Sequence, residues 1–121
     1  MRDITPSPAD RFVDDERLDR VRDHISKTDL DGFLAFSPPN SYYLGGCYAG
    51  MYSRPVIALV THEESVFVGP RLEERKANRT AWTDRALLYE DSDSPFDVLA
   101  KAVPDDVDVL GYDADHARPE W

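Results

Sequence analysis

Short apolar runs of strand length alternate with amphipathic helical stretches along the chain, and this alternation restricts the fold more than any other feature. The runs are Phe33-Leu34-Ala35-Phe36, Pro55 to Val60, Ser65 to Val68, Ala86 to Tyr89 and Val107 to Tyr112. Between them lie stretches with helical spacing, so the order is helix, strand, short helix, strand, strand, helix, strand, helix, strand. Such interleaving predicts an α/β domain whose sheet is covered by helices. Val60 and Ser65 are too close for a crossover, so Thr61 to Ser65 reads as a hairpin turn and the sheet is mixed. The expected fold class is therefore α/β, with a mixed β-sheet of about five or six strands flanked by helices.

The local signals agree with this order. Leu18, Val21 and Ile25 recur at helical spacing between charged residues, and Asp14, Asp15 and Glu16 suit the positive end of that helix, expected over 14–28. Asp31-Gly32 reads as a turn, and Pro38-Pro39 as the end of the following strand. Asn40 is a candidate N-cap for a short helix over Ser41 to Leu44, stopped by Gly45-Gly46. Arg71 to Ala81 reads as a helix, and Ser94-Pro95 as the capped start of another. Residues 1–13 are expected to be flexible, and 114–121 form a polar tail without an element of their own.

With 121 residues, the chain suits one domain. No apolar run approaches the roughly 20 residues of a membrane-spanning helix, and the first residues lack a signal-peptide core. The single cysteine, Cys47, forbids an internal disulfide and favours a cytoplasmic location. Twenty-four acidic residues against fourteen basic ones give a net charge of -10. That sign argues against a nucleic-acid partner, because phosphates are repelled. Asp outnumbers Glu and Arg outnumbers Lys, a bias that resembles proteins of high-salt cytoplasms, where screening cuts self-repulsion to a reach of about 3 Å at 1 M salt.

Catalytic constellations do not emerge. His24, His62 and His116 show no HxH or HExxH spacing. Asp14/Asp15 and Asp105/Asp106 sit at a helix start and a turn, ordinary places for Asp. No nucleophile elbow, dinucleotide fingerprint or P-loop is present. Cys47 reads as a small buried thiol rather than an activated one. The segment from Pro38 to Pro55 stands out because it gathers tyrosines, Met51 and Arg54 around glycines. Tyr43 and Leu44 are expected to pack a short helix onto the sheet. Tyr48, Met51, Tyr52 and Arg54 are the candidate contact residues, since aromatic and Arg side chains carry much of the energy at interfaces. For Arg54 the plain alternative is an ion pair with a surface Asp.

Asn40-Ser41-Tyr42-Tyr43-Leu44-Gly45-Gly46-Cys47 resembles the Asn-x-x-Tyr-Leu-Thr-Gly-Phe segment of creatinase, prolidase and Xaa-Pro aminopeptidase N-terminal domains, the M24 metallopeptidase family. The likeness continues through Arg54-Pro55, Pro70-Arg71-Leu72-Glu73, Tyr89-Glu90-Asp91, Pro95-Phe96 and Gly111-Tyr112-Asp113, covering roughly Arg17 to Asp113. Gly45 and Cys47 depart from the usual Thr and Phe. The resemblance implies a ribonuclease H-like motif over 14–113, with 114–121 leading toward an absent C-terminal catalytic domain. It implies no catalytic or metal-binding residue here. Two divalent metals (Mn, Co or Zn) belong to that absent domain, on two Asp, one His and two Glu.

The resemblance also implies a homodimer in which the segment matching Gly46–Arg54 approaches the partner's active site, so Tyr48, Met51, Tyr52 and Arg54 become substrate or partner contacts. Asn40, Tyr43, Leu44, Gly46 and Pro55 are the structural motif. The expected role is a non-catalytic domain of a Xaa-Pro dipeptidase or aminopeptidase acting on proline-containing peptides, contributing dimerisation and substrate gating. The alternatives are the equivalent domain of a creatinase-like hydrolase or lyase, and a non-enzymatic module that binds basic proteins.

Overall fold

The computed structural model describes residues 1–7, 15–48 and 54–113. Residues 8–13 of the segment expected to be flexible, and the tail 114–121, lie outside the described residues. Six strands form one sheet: β1 (Arg2–Ile4), β2 (Gly32–Ala35), β3 (Ile57–Thr61), β4 (Ser65–Pro70), β5 (Arg85–Tyr89) and β6 (Leu110–Tyr112). Their spatial order is β1-β5-β4-β3-β2-β6. The β4–β5 and β2–β6 pairs are parallel, and β1–β5, β2–β3 and β3–β4 are antiparallel. The helices are α1 (Asp15–Lys27), α2 (Pro38–Gly45), α3 (Glu74–Thr80) and α4 (Pro95–Ala102). A mixed six-stranded sheet with helices is the expected fold class.

The two-residue period of the strands sorts the core into two layers. Ile57 and Leu59 of β3, Val66 and Val68 of β4, and Leu87 and Tyr89 of β5 pack with Val98, Leu99 and Ala102 of α4. The alternate residues turn the other way. Ala58 and Val60 meet Leu18 and Ile25 of α1 and Leu44 of α2. Phe67, Ala86 and Leu88 meet Ala77 of α3 and Cys47. With both faces covered, every residue of β3 and β4 is buried, which is why these strands read as continuous apolar runs. Phe67 is completely buried, so Phe67→Ala would cost about 3–5 kcal/mol through lost burial and a residual cavity.

Five local expectations change. Arg2–Ile4, expected to fray, is an edge strand paired antiparallel with β5. Pro38 and Pro39 start α2 instead of merely ending β2. The first helical N–H groups have no carbonyl partner, so proline there forfeits nothing. The N-cap is consequently Ser37, whose hydroxyl accepts from the Asn40 N–H at 3.2 Å, and not Asn40. The helix over 71–81 begins as a 3₁₀ turn, Arg71–Glu73. The last strand covers 110–112 only, because the N–H groups of Asp108 and Val109 donate to the Asp31 carboxylate at 2.8 and 2.9 Å instead of joining the ladder.

Candidate functional site

The strand directions gather the distinctive residues at one end of the sheet. β2, β4, β5 and β6 finish there and β3 begins there. The same end therefore holds the start of α2, Arg54-Pro55, Glu90-Asp91 and Asp113.

Residues 49–53 lie outside the described residues, and the described residues on either side of them are tied to the core. On one side, Gly46 closes α2 with φ 82°, and its N–H donates to the Tyr42 carbonyl at 2.8 Å. A Cβ on Gly46 would lie 2.7 Å from the Thr80 carbonyl and 2.9 Å from the Trp82 ring, so only glycine fits. The Trp82 backbone N–H donates to Gly45 and its indole N–H to Leu44, both at 2.8 Å. On the other side, the Tyr89 hydroxyl donates to the Pro55 carbonyl at 2.6 Å. Burial pushes the Tyr89 phenol well above its ordinary range, so this donor keeps its proton.

The expected motif residues divide by role. Leu44 is buried under α2, as expected. Tyr43 is not packed on the sheet: it is 47% exposed, with the Arg17 guanidinium 4.1 Å from its ring centroid and 5.3 Å from that of Trp82. Arg17 also donates to the Tyr43 carbonyl at 2.9 Å, so the α1–α2 contact is a cation over two aromatic faces. Tyr48 is half-exposed and meets Tyr42 edge-on, ring centroids 6.1 Å apart. Arg54 pairs with Asp91 at 3.1 Å, the plain alternative to a substrate contact. Met51 and Tyr52 lie outside the described residues.

Asp113 and Trp82 are the residues that local reading missed. The Asp113 carboxylate accepts from the N–H groups of Phe36 and Ser37 at 2.7 and 2.9 Å, and from the Asn40 amide at 3.0 Å. Burial alone would raise its pKa, but these three donors outweigh burial and hold it below the usual carboxylate range. Only the closing Gly111-Tyr112-Asp113 likeness hinted that this acid has a structural place.

An open apolar groove of about 450 Å³ lies between α1 and α2. Val21, Ile25, Leu30 and Phe33 line it, with Arg20 and His24 on one rim and Asn40 and Tyr43 on the other.

Among the described residues the site gathers anchoring hydrogen bonds and packed rings. Cys47 is fully buried and burial raises its pKa, so it is poor thiolate material. Among the described residues no group of three or more His, Cys, Asp or Glu side chains is placed to hold a metal ion. Among the described residues no helix is long and apolar enough to cross a membrane.

The class so defined is an α/β domain with a six-stranded mixed sheet covered by helices on both faces. The family model for the creatinase/prolidase N-terminal domain matches residues 17–121, and the chain belongs to that family. The solved creatinase/prolidase N-terminal domain of an X-Pro dipeptidase from Streptococcus pyogenes superposes with a TM-score of 0.76 at 20% identity, covering 87% of this chain and 86% of that one. A proline dipeptidase from Streptococcus pneumoniae gives a TM-score of 0.72 at 22% identity, over 84% and 76% of the two chains. At these identities the likeness shows the fold. The "Putative dipeptidase YkvY" of Bacillus subtilis is 25% identical over 88 residues, 72% of this chain. The chain spans only 24% of that relative's length.

Proposed function

We propose that this domain serves a Xaa-Pro dipeptidase or aminopeptidase as its non-catalytic N-terminal part, contributing dimerisation and substrate gating. The observation that carries this reading is the anchoring of the described residues on either side of 49–53: Gly46 packs against Thr80 and Trp82, and Pro55 accepts the Tyr89 hydroxyl at the sheet end where Asp113 also lies. Fixing the flanking Gly46 and Pro55 lowers the entropic cost of a contact made by Tyr48 or Arg54; Met51 and Tyr52 are the further candidates for that contact. Exchanging Asp91 for a substrate carboxylate would keep the Arg54 guanidinium paired. A metallopeptidase gains from a second body that excludes water and holds the far end of its substrate. Divalent Mn, Co or Zn in a catalytic domain would polarise the scissile carbonyl. A homodimer and a cytoplasm rich in salt complete the reading.

The test is the gene followed past the codon for Trp121, and its product assayed on Xaa-Pro dipeptides with Mn²⁺. Metal-dependent hydrolysis, with KM raised in Tyr48→Ala and Arg54→Ala more than kcat is lowered, is the expected result. A product without a catalytic domain, or one inert toward Xaa-Pro dipeptides, overturns the reading.

A further inference from the structure

We infer that β1 is a displaceable guard over a latent self-association edge: when Arg2–Ile4 leaves the sheet, the freed edge of β5 pairs with the β5 of a second copy. The inference does not rest on the dipeptidase reading.

The two edges of β5 are held unequally. On one edge β4 pairs in parallel over five residues, from Arg85 to Tyr89. On the other, among the described residues, only β1 is present, and it covers Ala86, Leu87 and Leu88. Ala86 to Tyr89 is a buried run whose side chains enter the clusters on both faces of the sheet. β5 therefore keeps its place through β4 and the core whether or not β1 is paired. Arg85 also keeps Glu64 at 2.8 Å when Asp3 withdraws, so no charge is stranded at the freed edge.

The guard itself is held by charge more than by burial. Arg2 and Asp3 are exposed, and Ile4 alone packs, in part, against the Phe67 and Leu88 cluster. The ion pairs are Arg2–Glu74, Asp3–Arg85 and the Met1 amino group with Asp93, with side chains 26–52% exposed. The Ser7 N–H adds one bond to the Asn78 carbonyl at 2.9 Å. Pairs so exposed hold weakly, and a three-residue strand opens before the sheet it covers.

What the opening bares decides the occupant. A freed strand edge is a row of unpaired N–H and C=O groups that templates another strand. β2, β3 and β4 are paired on both edges, and β6 is only three residues long. Among the described residues, the β5 of another copy is thus the one long apolar strand freed by the same event. A two-fold axis lets each β5 complete the other.

The test compares the intact chain with one lacking residues 1–7, by sedimentation and amide exchange. The shortened chain is expected to sediment at twice the mass of the intact one, with its β5 amides protected. A peptide of residues 1–7 should return it to the mass of the intact chain. A full-length Arg2→Glu/Asp3→Arg variant sets like charges against Glu74 and Arg85, and should show faster exchange at 86–88 in dilute solution and the same doubling on concentration. A shortened chain that is folded by circular dichroism and keeps the mass of the intact chain overturns the proposal. So does a doubling that leaves the β5 amides exchanging freely, which would put the contact elsewhere. If the shortened chain does not fold, the charge-reversed variant decides, and an unchanged mass on concentration overturns the proposal.

Discussion

The Asp113 carboxylate accepts the backbone N–H of Ser37 at 2.9 Å, joining the end of β6 to the cap of α2. With the Phe36 N–H and the Asn40 amide also bound, this one side chain ties the end of β6 to the turn from β2 into α2. Asp113→Ala is expected to destabilise the chain by about 2 kcal/mol, below the sum of three charged hydrogen bonds because the site is partly solvated. Asp113→Asn retains one acceptor and should lie between the two. Because the folded pKa is depressed, the contribution is full above the unfolded value near 3.9 and disappears as pH falls through the folded value. Urea titrations of wild type and Asp113→Ala should differ at pH 6 and converge in acid; a constant difference down to about pH 2 counts against this.

Tyr89 supplies the opposite pH behaviour. Its hydroxyl is the buried donor to Pro55, and Tyr89→Phe should cost about 1 kcal/mol, roughly 4 °C in Tm, with faster amide exchange at residues 56 and 57. Burial raises the folded pKa, so the stabilisation is complete below the unfolded value near 10 and fades as pH rises beyond it. Wild type should therefore lose more stability than Tyr89→Phe above about pH 10. Parallel alkaline curves would show that the phenol is not shielded.

How much of this was readable beforehand follows from where each signal lives. β3 and β4 were legible because burial on both faces leaves their residues continuously apolar. α4 was legible because Ser94 and Pro95 mark its start locally. β1 was not: Arg2-Asp3-Ile4 has no apolar alternation, and its strand character comes from backbone pairing with β5. Asp113 reads as one more acid in a polar tail until the parallel β2–β6 pair brings it to Ser37. Likewise Arg17 looks like a solvated helix residue, and only the fold sets it over Tyr43 and Trp82. The Asn40-to-Cys47 likeness named the correct helix, but not that Tyr43 supports an arginine.

The adjacent glycines Gly45 and Gly46 should respond in opposite ways. Gly46→Ala places a Cβ 2.7 Å from the Thr80 carbonyl at a positive φ and should cost about 2–3 kcal/mol. At Gly45 the nearest atom to an added Cβ is Thr83 Cγ2 at 3.5 Å, ordinary contact, inside α2. Gly45→Ala should be neutral or stabilising by up to about 1 kcal/mol, since alanine has the higher helix propensity. Thermal melts decide it: similar losses in both variants would mean that the αL cap does not set the geometry of this turn.

Salt should stabilise this chain. Its ion pairs among the described residues range from half-buried, as in Arg85–Glu64, to exposed, as in Lys27–Asp23 with side chains 72% and 64% exposed. Pairs of that kind contribute at most about 1 kcal/mol each, so screening them removes little. Screening also relieves the repulsion among 24 acidic residues that 14 basic ones leave unbalanced. As the Debye length falls from about 10 Å at 0.1 M to about 3 Å at 1 M, the relief outweighs the loss and Tm should rise by several degrees. Potassium chloride is the appropriate salt, because sulfate would strengthen apolar burial in any protein. A Tm that stays flat or falls across this range would mean that the acidic surface is already balanced locally by its arginines.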